Sequence, residues 1–335
     1  MPRAPIREVE NVHRRSFLKS ASALVLACSA WSVRAAHRWR IGFLAAGGAK
    51  DEASVLEEFG QGLHARGYVE GQNLVIESRY AEGRLETLPG MAEELVSLRV
   101  DVIFASSTLA GRAAQRATKS IPIVFTNVSD PVGSGLVESL PRPGGNVTGT
   151  MDQGVDVTSK RLDVLKQAVP PLKRLAALGY PADPLWEPTW QEAQTAARRL
   201  RIDIVAIPVA MPDEIDLELA KIGSRVDALF VAPQVFFWIH RRRIIEWAKQ
   251  AKLPAVYELR DYVLDGGLMS YGPVLPALYR NAARQVDAIL KGTRPADIPV
   301  EQPTKFELVV NLGTAKAIGL TIASEFLLRV DEAIQ

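Results

Sequence analysis

From residue 40 onward, short and nearly continuous apolar runs alternate with segments whose apolar residues recur near every 3.6 positions. The runs fall at residues 40–45, 74–78, 102–105 and 121–126, and again at 175–179, 202–207, 228–231 and 255–259. Unbroken apolarity over a few residues marks a strand buried on both faces, as in parallel sheets covered by helices. The intervening segments supply the helices. Val55, Leu56, Phe59 and Leu63 share one face, and Leu88, Met91, Leu95 and Leu98 another. Ala193, Ala196, Ala197 and Leu200 form a small-residue face suited to close packing on a sheet. Alternation four times and then four times again predicts an α/β protein of two doubly wound parallel-sheet lobes.

Three stretches are too rich in Gly and Pro for an element interior: residues 141–150, 265–273 and 292–299. They predict three passages of the chain between the lobes. The helix at 277–290 then returns to the first lobe, and the strand at 305–310 finishes in the second. This assigns residues 37–148 plus about 274–295 to one lobe and 149–273 plus about 304–335 to the other. A three-crossing hinge bends without letting the lobes wander. A single crossing with a C-terminal appendage is the alternative.

Residues 1–36 read as an address. Arg14-Arg15-Ser16-Phe17-Leu18-Lys19 precedes a short apolar and small-residue run, and Val33-Arg34-Ala35-Ala36 resembles a signal-peptidase site. The three parts make a secretory signal, and the paired arginines give it the form of a twin-arginine export signal. The twin-arginine export machinery is then a partner and the periplasm the destination. A cut before Cys28, which would leave a lipid anchor, is the second option. A basic tail leading into an amphipathic helix is a third reading.

The whole chain carries a formal charge of +2, too small to suggest a nucleic-acid partner. Residues 1–36 carry a net +4, so their removal leaves the remainder at −2. The single cysteine is Cys28, which excludes a disulfide framework or a cysteine zinc site. The four histidines lack metal-ligand spacing. There is no nucleophile elbow, phosphate loop or dinucleotide fingerprint. No catalytic residue, metal or cofactor is therefore expected, although an acid–base pair assembled from distant loops is not excluded by motif.

In open α/β sheets a ligand binds beyond the carboxyl ends of the strands. In the first lobe that selects Ser106, Ser107 and Thr108 after the third strand, and Thr126 and Asp130 at and after the fourth. Ser107 and Thr108 would hold a carboxylate at a helix start. Asp130 before Pro131 also fits a helix N-cap. In the second lobe the same rule selects Tyr180, Gln234, Tyr257 and Glu258, with Ser270 and Tyr271 in the crossing loop. Asp130 or Glu258 would meet an ammonium, and Tyr257 and Tyr271 would cover an apolar body. Rim packing of the tyrosines and simple helix capping by the hydroxyls are the competing roles.

The run from Asp130 to Gly149, Asp-Pro-Val-Gly-Ser-Gly-Leu-Val-Glu-Ser-Leu-Pro-Arg-Pro-Gly-Gly-Asn-Val-Thr-Gly, resembles a signature of the tryptophan/tyrosine-type ABC transporter substrate-binding proteins. So do Gly266–Pro273, Val300–Asn311, Lys316–Thr321, Arg66–Gly71 and Lys160–Leu165. The resemblance implies a type I periplasmic binding fold and an extracytoplasmic receptor that binds a small molecule, an amino acid (aromatic in the family members with known ligands) or a related small organic acid. It also implies delivery to a membrane permease with its ATPase. Ser106-Ser107-Thr108-Leu109 stands where the family usually has Gly-Thr-Pro-Ala, and Tyr180-Pro181 where Asn-Pro is common. An exported enzyme using the same cleft, or a sensor for a membrane signalling partner, are the rival functions.

Overall fold

The computed structural model describes Met1, residues 38–222 and residues 225–335. The export-type segment, including Arg14, Arg15 and Cys28, lies outside the described residues. No helix among the described residues is long and apolar enough to cross a membrane.

The first lobe is built on β1 (Trp39–Ala45), β2 (Leu74–Tyr80), β3 (Val102–Ser106), β4 (Ile123–Val128) and β5 (Val147–Met151), all parallel in the order β2-β1-β3-β4-β5. Helices α1 (Ala53–His64), α2 (Leu88–Ser97) and α3 (Thr108–Ala117) link its strands. The second lobe contains β6 (Arg174–Gly179), β7 (Asp203–Pro208), β8 (Ala228–Val231), β9 (Ala255–Tyr257), β10 (Met269–Pro273), β11 (Phe306–Asn311) and β12 (Glu332–Ile334). Its order is β12-β11-β10-β9-β8-β6-β7, and β10 with β11 is the antiparallel pair. Helices α4 (Thr158–Ala168), α5 (Trp186–Leu200), α6 (Glu214–Ile222), α7 (Val235–Ile239), α8 (Arg241–Gln250) and α9 (Arg260–Leu264) precede or link the strands of this lobe. The five strands β6 to β10 repeat the order of β1 to β5. Each lobe therefore has one switch point, between its first and third strands, where a crevice opens beyond the strand ends.

The helices bury the faces that the sequence spacing predicts. Val55, Phe59 and Leu63 are buried under α1, where Phe59 stacks on Phe104 with ring centroids 4.0 Å apart. Ala193, Ala196 and Ala197 seat α5 on the second sheet. Two apolar clusters cover the two faces of the first sheet, and a third fills the second lobe.

The chain leaves the first sheet after Met151, returns after Pro273 as α10 (Leu275–Leu290), and crosses again before β11. Helix α10 packs on α1 at a small-residue contact. A Cβ on Gly62 would lie 2.7 Å from the Ala283 Cβ and 3.2 Å from the Arg280 Cα. The crossings are tied to one another: Val274 N donates to Lys305 O at 3.1 Å and Gln153 Nε2 to Gln302 Oε1 at 2.8 Å.

Two Gly-rich stretches expected to be loops contain strands instead, β5 and β10. A Cβ on Gly149 would come within 2.3 Å of Phe125 O, and one on Gly272 within 2.0 Å of Glu258 O. These glycines permit close strand approach; they do not mark a turn. The helix expected after Asp130 does not form. Its Oδ1 accepts from Gly133 N at 2.7 Å and closes a turn, because Gly133-Ser134-Gly135, with Gly135 at φ +73°, breaks the helix. Finally, α11 (Leu312–Ala317), N-capped by Asn311, and α12 (Ser324–Leu327) close the chain before β12.

Candidate functional site

The carboxyl ends of both sheets face one cavity of about 630 Å³, its mouth included. The first lobe contributes the loop after β1 and the start of α1 (Glu52, Val55), the end of β3 and the start of α3 (Ser106, Ser107, Thr108), Asn127 at the end of β4 and Ser129 just after it. Asp152 enters from the first crossing and Tyr279 from the returning helix α10. The second lobe contributes Asp183, Leu185 and Glu258 from the loops after β6 and β9, Trp238 from α7 after β8, and Asp261 from α9.

Ser106 Oγ donates to Glu52 Oε2 at 2.8 Å. Ser107 caps α3, its Oγ accepting from Ala110 N at 3.2 Å. Its backbone, at φ 141° and ψ 164°, occupies a region that is essentially reserved for glycine. The first amides of α3 have no intrahelical acceptor, so this corner presents donors to the cavity. Thr108 is buried, and its Oγ1 has no hydrogen-bond partner.

On the other side Glu258 Oε1 also has no hydrogen-bond partner. The nearest cation is Arg161 Nη2, 3.8 Å away. Arg161 is fully buried and is held by Gly154 O at 2.6 Å and Tyr271 O at 2.8 Å. Asp183 Oδ1 accepts from Leu185 N at 3.0 Å, and Asp152 Oδ1 from Gly154 N at 2.9 Å.

Burial shifts all of these carboxyls upward. It raises Glu52 to about 7, against the hydrogen bond from Ser106. It raises Asp183 to about 6. Burial, then the charge of Asp152, pushes Glu258 up to about 8, with Arg161 opposing. Asp152 and Asp261 are likewise raised, chiefly by burial. Desolvation disfavours the charged form of each, and for Glu258 the charges of Asp152 and Asp183 add to it.

Of the residues selected from sequence, Ser106, Ser107, Thr108 and Glu258 line the cavity together. The others do not reach it. Thr126 is buried and accepts from Thr150 Oγ1 at 3.1 Å. Gln234 is buried with its side-chain amide bonded to both backbone groups of Tyr180, each at 2.8 Å. Tyr180 stacks on Phe236 and lines a separate groove with Arg112 and Arg116. Tyr257 is buried against Tyr262, and Tyr271 stacks on Phe306. Ser270 is buried in β10, its Oγ without a partner. Asp130 closes its turn outside the cavity.

Glu52, Asp152, Asp183, Asp261, Trp238 and Tyr279 were not selected from sequence. The first four lie just beyond β1, β5, β6 and β9, so the strand-end rule reaches them once every strand is known. Among the described residues, no three of His, Cys, Asp or Glu are grouped so as to hold a metal ion.

The lobes also touch outside the cavity. Arg241 Nη2 of the second lobe meets Asp51 Oδ1 of the first at 3.2 Å. Val235 and Ile239 pack on the apolar cluster of the first lobe.

Known proteins share this arrangement. A protein named tyrosine-binding protein from Clostridioides difficile (strain R20291) is 28% identical over 263 residues, spanning 78% of this chain and 75% of that one. An ABC domain from Streptococcus pneumonia in complex with L-Trp is 25% identical, with a TM-score of 0.83 over 89% of this chain and 100% of that one. A ligand-free, open substrate-binding protein with adhesive properties from Clostridium difficile is 26% identical, with a TM-score of 0.64 over 89% of this chain and 99% of that one. The family described as ABC transporter substrate binding protein matches residues 51–334. With its two switch-point crevices facing one cavity, the chain belongs to that family of binding proteins, which are not enzymes.

Proposed function

We propose that this protein is the extracytoplasmic receptor of an ABC importer. It captures one small ammonium-bearing solute, an amino acid or close relative with an apolar body, by closing its lobes around it. It then hands the solute to a membrane permease driven by an ATPase. The observation that carries this reading is the cavity walled by both lobes, because a ligand that touches both stabilises the closed form alone.

The comparison structures support closure. At nearly equal identity and coverage, the lobe arrangement here is nearer the L-Trp complex, at TM-score 0.83, than the open ligand-free protein, at 0.64. Leu185, Trp238 and Tyr279 give the cavity an apolar and aromatic wall, the role assigned in sequence to Tyr257 and Tyr271. Ser107, Thr108 and the first amides of α3 would hold an electron-rich group of the solute, and Glu258 its ammonium. Five carboxyl groups on the wall, with no Lys, Arg or His among the lining residues, disfavour an organic acid. Residues 1–36 would direct the chain through the twin-arginine route to the periplasm, a point settled by the mass of the processed N-terminus in cells with and without that route.

Small-angle scattering of the purified protein during titration with aromatic amino acids and their amines tests closure. A fall in radius of gyration, matched by calorimetric binding, is expected. A profile unchanged by every member of the panel overturns the reading. Replacing Ser107 and Thr108 together by leucine is expected to abolish the compaction, and unchanged affinity removes that corner from the site.

A further inference from the structure

We infer that the cavity selects a solute of net positive charge over a zwitterion of the same shape; this rests on the receptor reading above. Glu52, Asp152, Asp183, Glu258 and Asp261 all line the cavity, and no lining residue is basic. The fully buried cation beside it, Arg161, serves Glu258 at 3.8 Å and spends its other contacts on two backbone carbonyls. Arg241, the next guanidinium, is engaged by Asp51 at 3.2 Å and Asp265 at 2.8 Å. Among the described residues no cation lies within ion-pair distance of the other four carboxyls; Arg161, Arg112, Arg241 and Arg260 reach Asp152, Asp183, Glu52 and Asp261 only from farther off, so burial favours their protonated forms and a cation entering the cavity would ionise them.

Four unpartnered lining atoms point to what fills it: the acceptors Asn127 Oδ1 and Glu258 Oε1, the hydroxyl Thr108 Oγ1 and one donor, Trp238 Nε1. Thr108 Oγ1 is buried, lines the cavity and has no partner. Glu258 Oε1 lines the opposite wall and accepts no hydrogen bond. A buried carboxylate oxygen or amide oxygen of this kind is costly unless a donor reaches it, while the Thr108 hydroxyl and the Trp238 N–H are available to the solute's electron-rich group. A metal ion is not the donor these groups suit, since among the described residues no three are grouped to hold one. An ammonium or amidinium on an apolar body satisfies both the acceptors and the charge. A zwitterion brings one carboxylate into the same field and cancels the gain.

Matched probes decide it. L-tyrosine and L-tryptophan are compared by calorimetry with tyramine and tryptamine, which keep the ring and ammonium but carry net charge +1. At pH 7.5 at least one of the cationic forms is expected to bind tenfold or more tightly than its parent acid. Glu258→Gln is expected to reduce that preference at least threefold. Equal or tighter binding of the zwitterions overturns the inference and leaves the receptor reading standing. So does native mass spectrometry showing an anionic or uncharged solute retained by the purified protein. If no probe binds, and neither linear polyamines nor cationic amino acids compact the protein in scattering, both readings fall. A preference unaltered in Glu258→Gln also overturns the inference, because that carboxylate is its central acceptor.

Discussion

The two walls of the cavity handle buried polarity differently. On the first-lobe side Ser106 bonds Glu52 and Ser107 caps α3, so most polar groups find partners within their own lobe. On the second-lobe side Glu258 faces Arg161 across 3.8 Å with neither atom hydrogen-bonded. The first wall still leaves Thr108 Oγ1 and Asn127 Oδ1 unpartnered. The second holds charge that needs a partner. On the proposed closing mechanism, a solute seated on the first wall would favour the closed form by satisfying the second, since buried unpaired groups are penalised there.

Breaking the second wall is expected to have the largest effect. Arg161→Met strands Glu258 and leaves Gly154 O and Tyr271 O without their donor. Loss of such a buried partner costs about 3–5 kcal/mol. Urea denaturation should show this, with the first-lobe variant Ser106→Ala losing only about 1–3 kcal/mol.

The pH profile sharpens the contrast. Glu52, Asp183 and Glu258 have folded values of about 7, 6 and 8, above their ordinary values of 4.5, 3.8 and 4.5. A raised carboxyl binds its proton more tightly in the folded state, so its contribution is full below the ordinary value and is lost as pH rises through the folded one. The ligand-free protein should therefore lose stability between about pH 4 and pH 8, by up to about 1.4 kcal/mol per pH unit for each group titrating. Thermal melts across that range check the slope, and a bound cation should flatten it.

Ser107 tests whether the first wall is strained for function. Ser107→Gly relieves a conformation costing about 1–3 kcal/mol and loses only a few tenths as a cap. A gain of about 1 kcal/mol, with weaker solute binding, is expected by melts and calorimetry. Ser107→Ala should instead destabilise by about 1 kcal/mol. The smallest effect is at the contact between lobes. Asp51→Asn removes a partly exposed pair worth about 0.2–1 kcal/mol, which should raise the solute Kd up to about fivefold with little change in melting temperature.

The alternation of apolar runs made the doubly wound lobes legible, because strands buried on both faces must be apolar throughout. Strands β5 and β10 were not legible. Gly149 and Gly272 read as turn residues until the neighbouring carbonyls, 2.3 and 2.0 Å from where a Cβ would sit, show why no side chain fits. In the site, Ser106, Ser107, Thr108 and Glu258 could be found by position after a recognised strand. Tyr257 and Tyr271 occupy similar positions, yet pack on Tyr262 and Phe306. Which way such a side chain turns depends on neighbours distant in sequence.

The sequence by itself determined the alternation of strands and helices, the two lobes and the hydroxyl corner at the start of α3, since these follow from local periodicity and chain connectivity. Only the tertiary structure decided that five carboxyls meet in one space. A carboxylate along the chain is indistinguishable from a solvated one. Its burial, and the charge it then demands, exist only once the opposite lobe has removed the water.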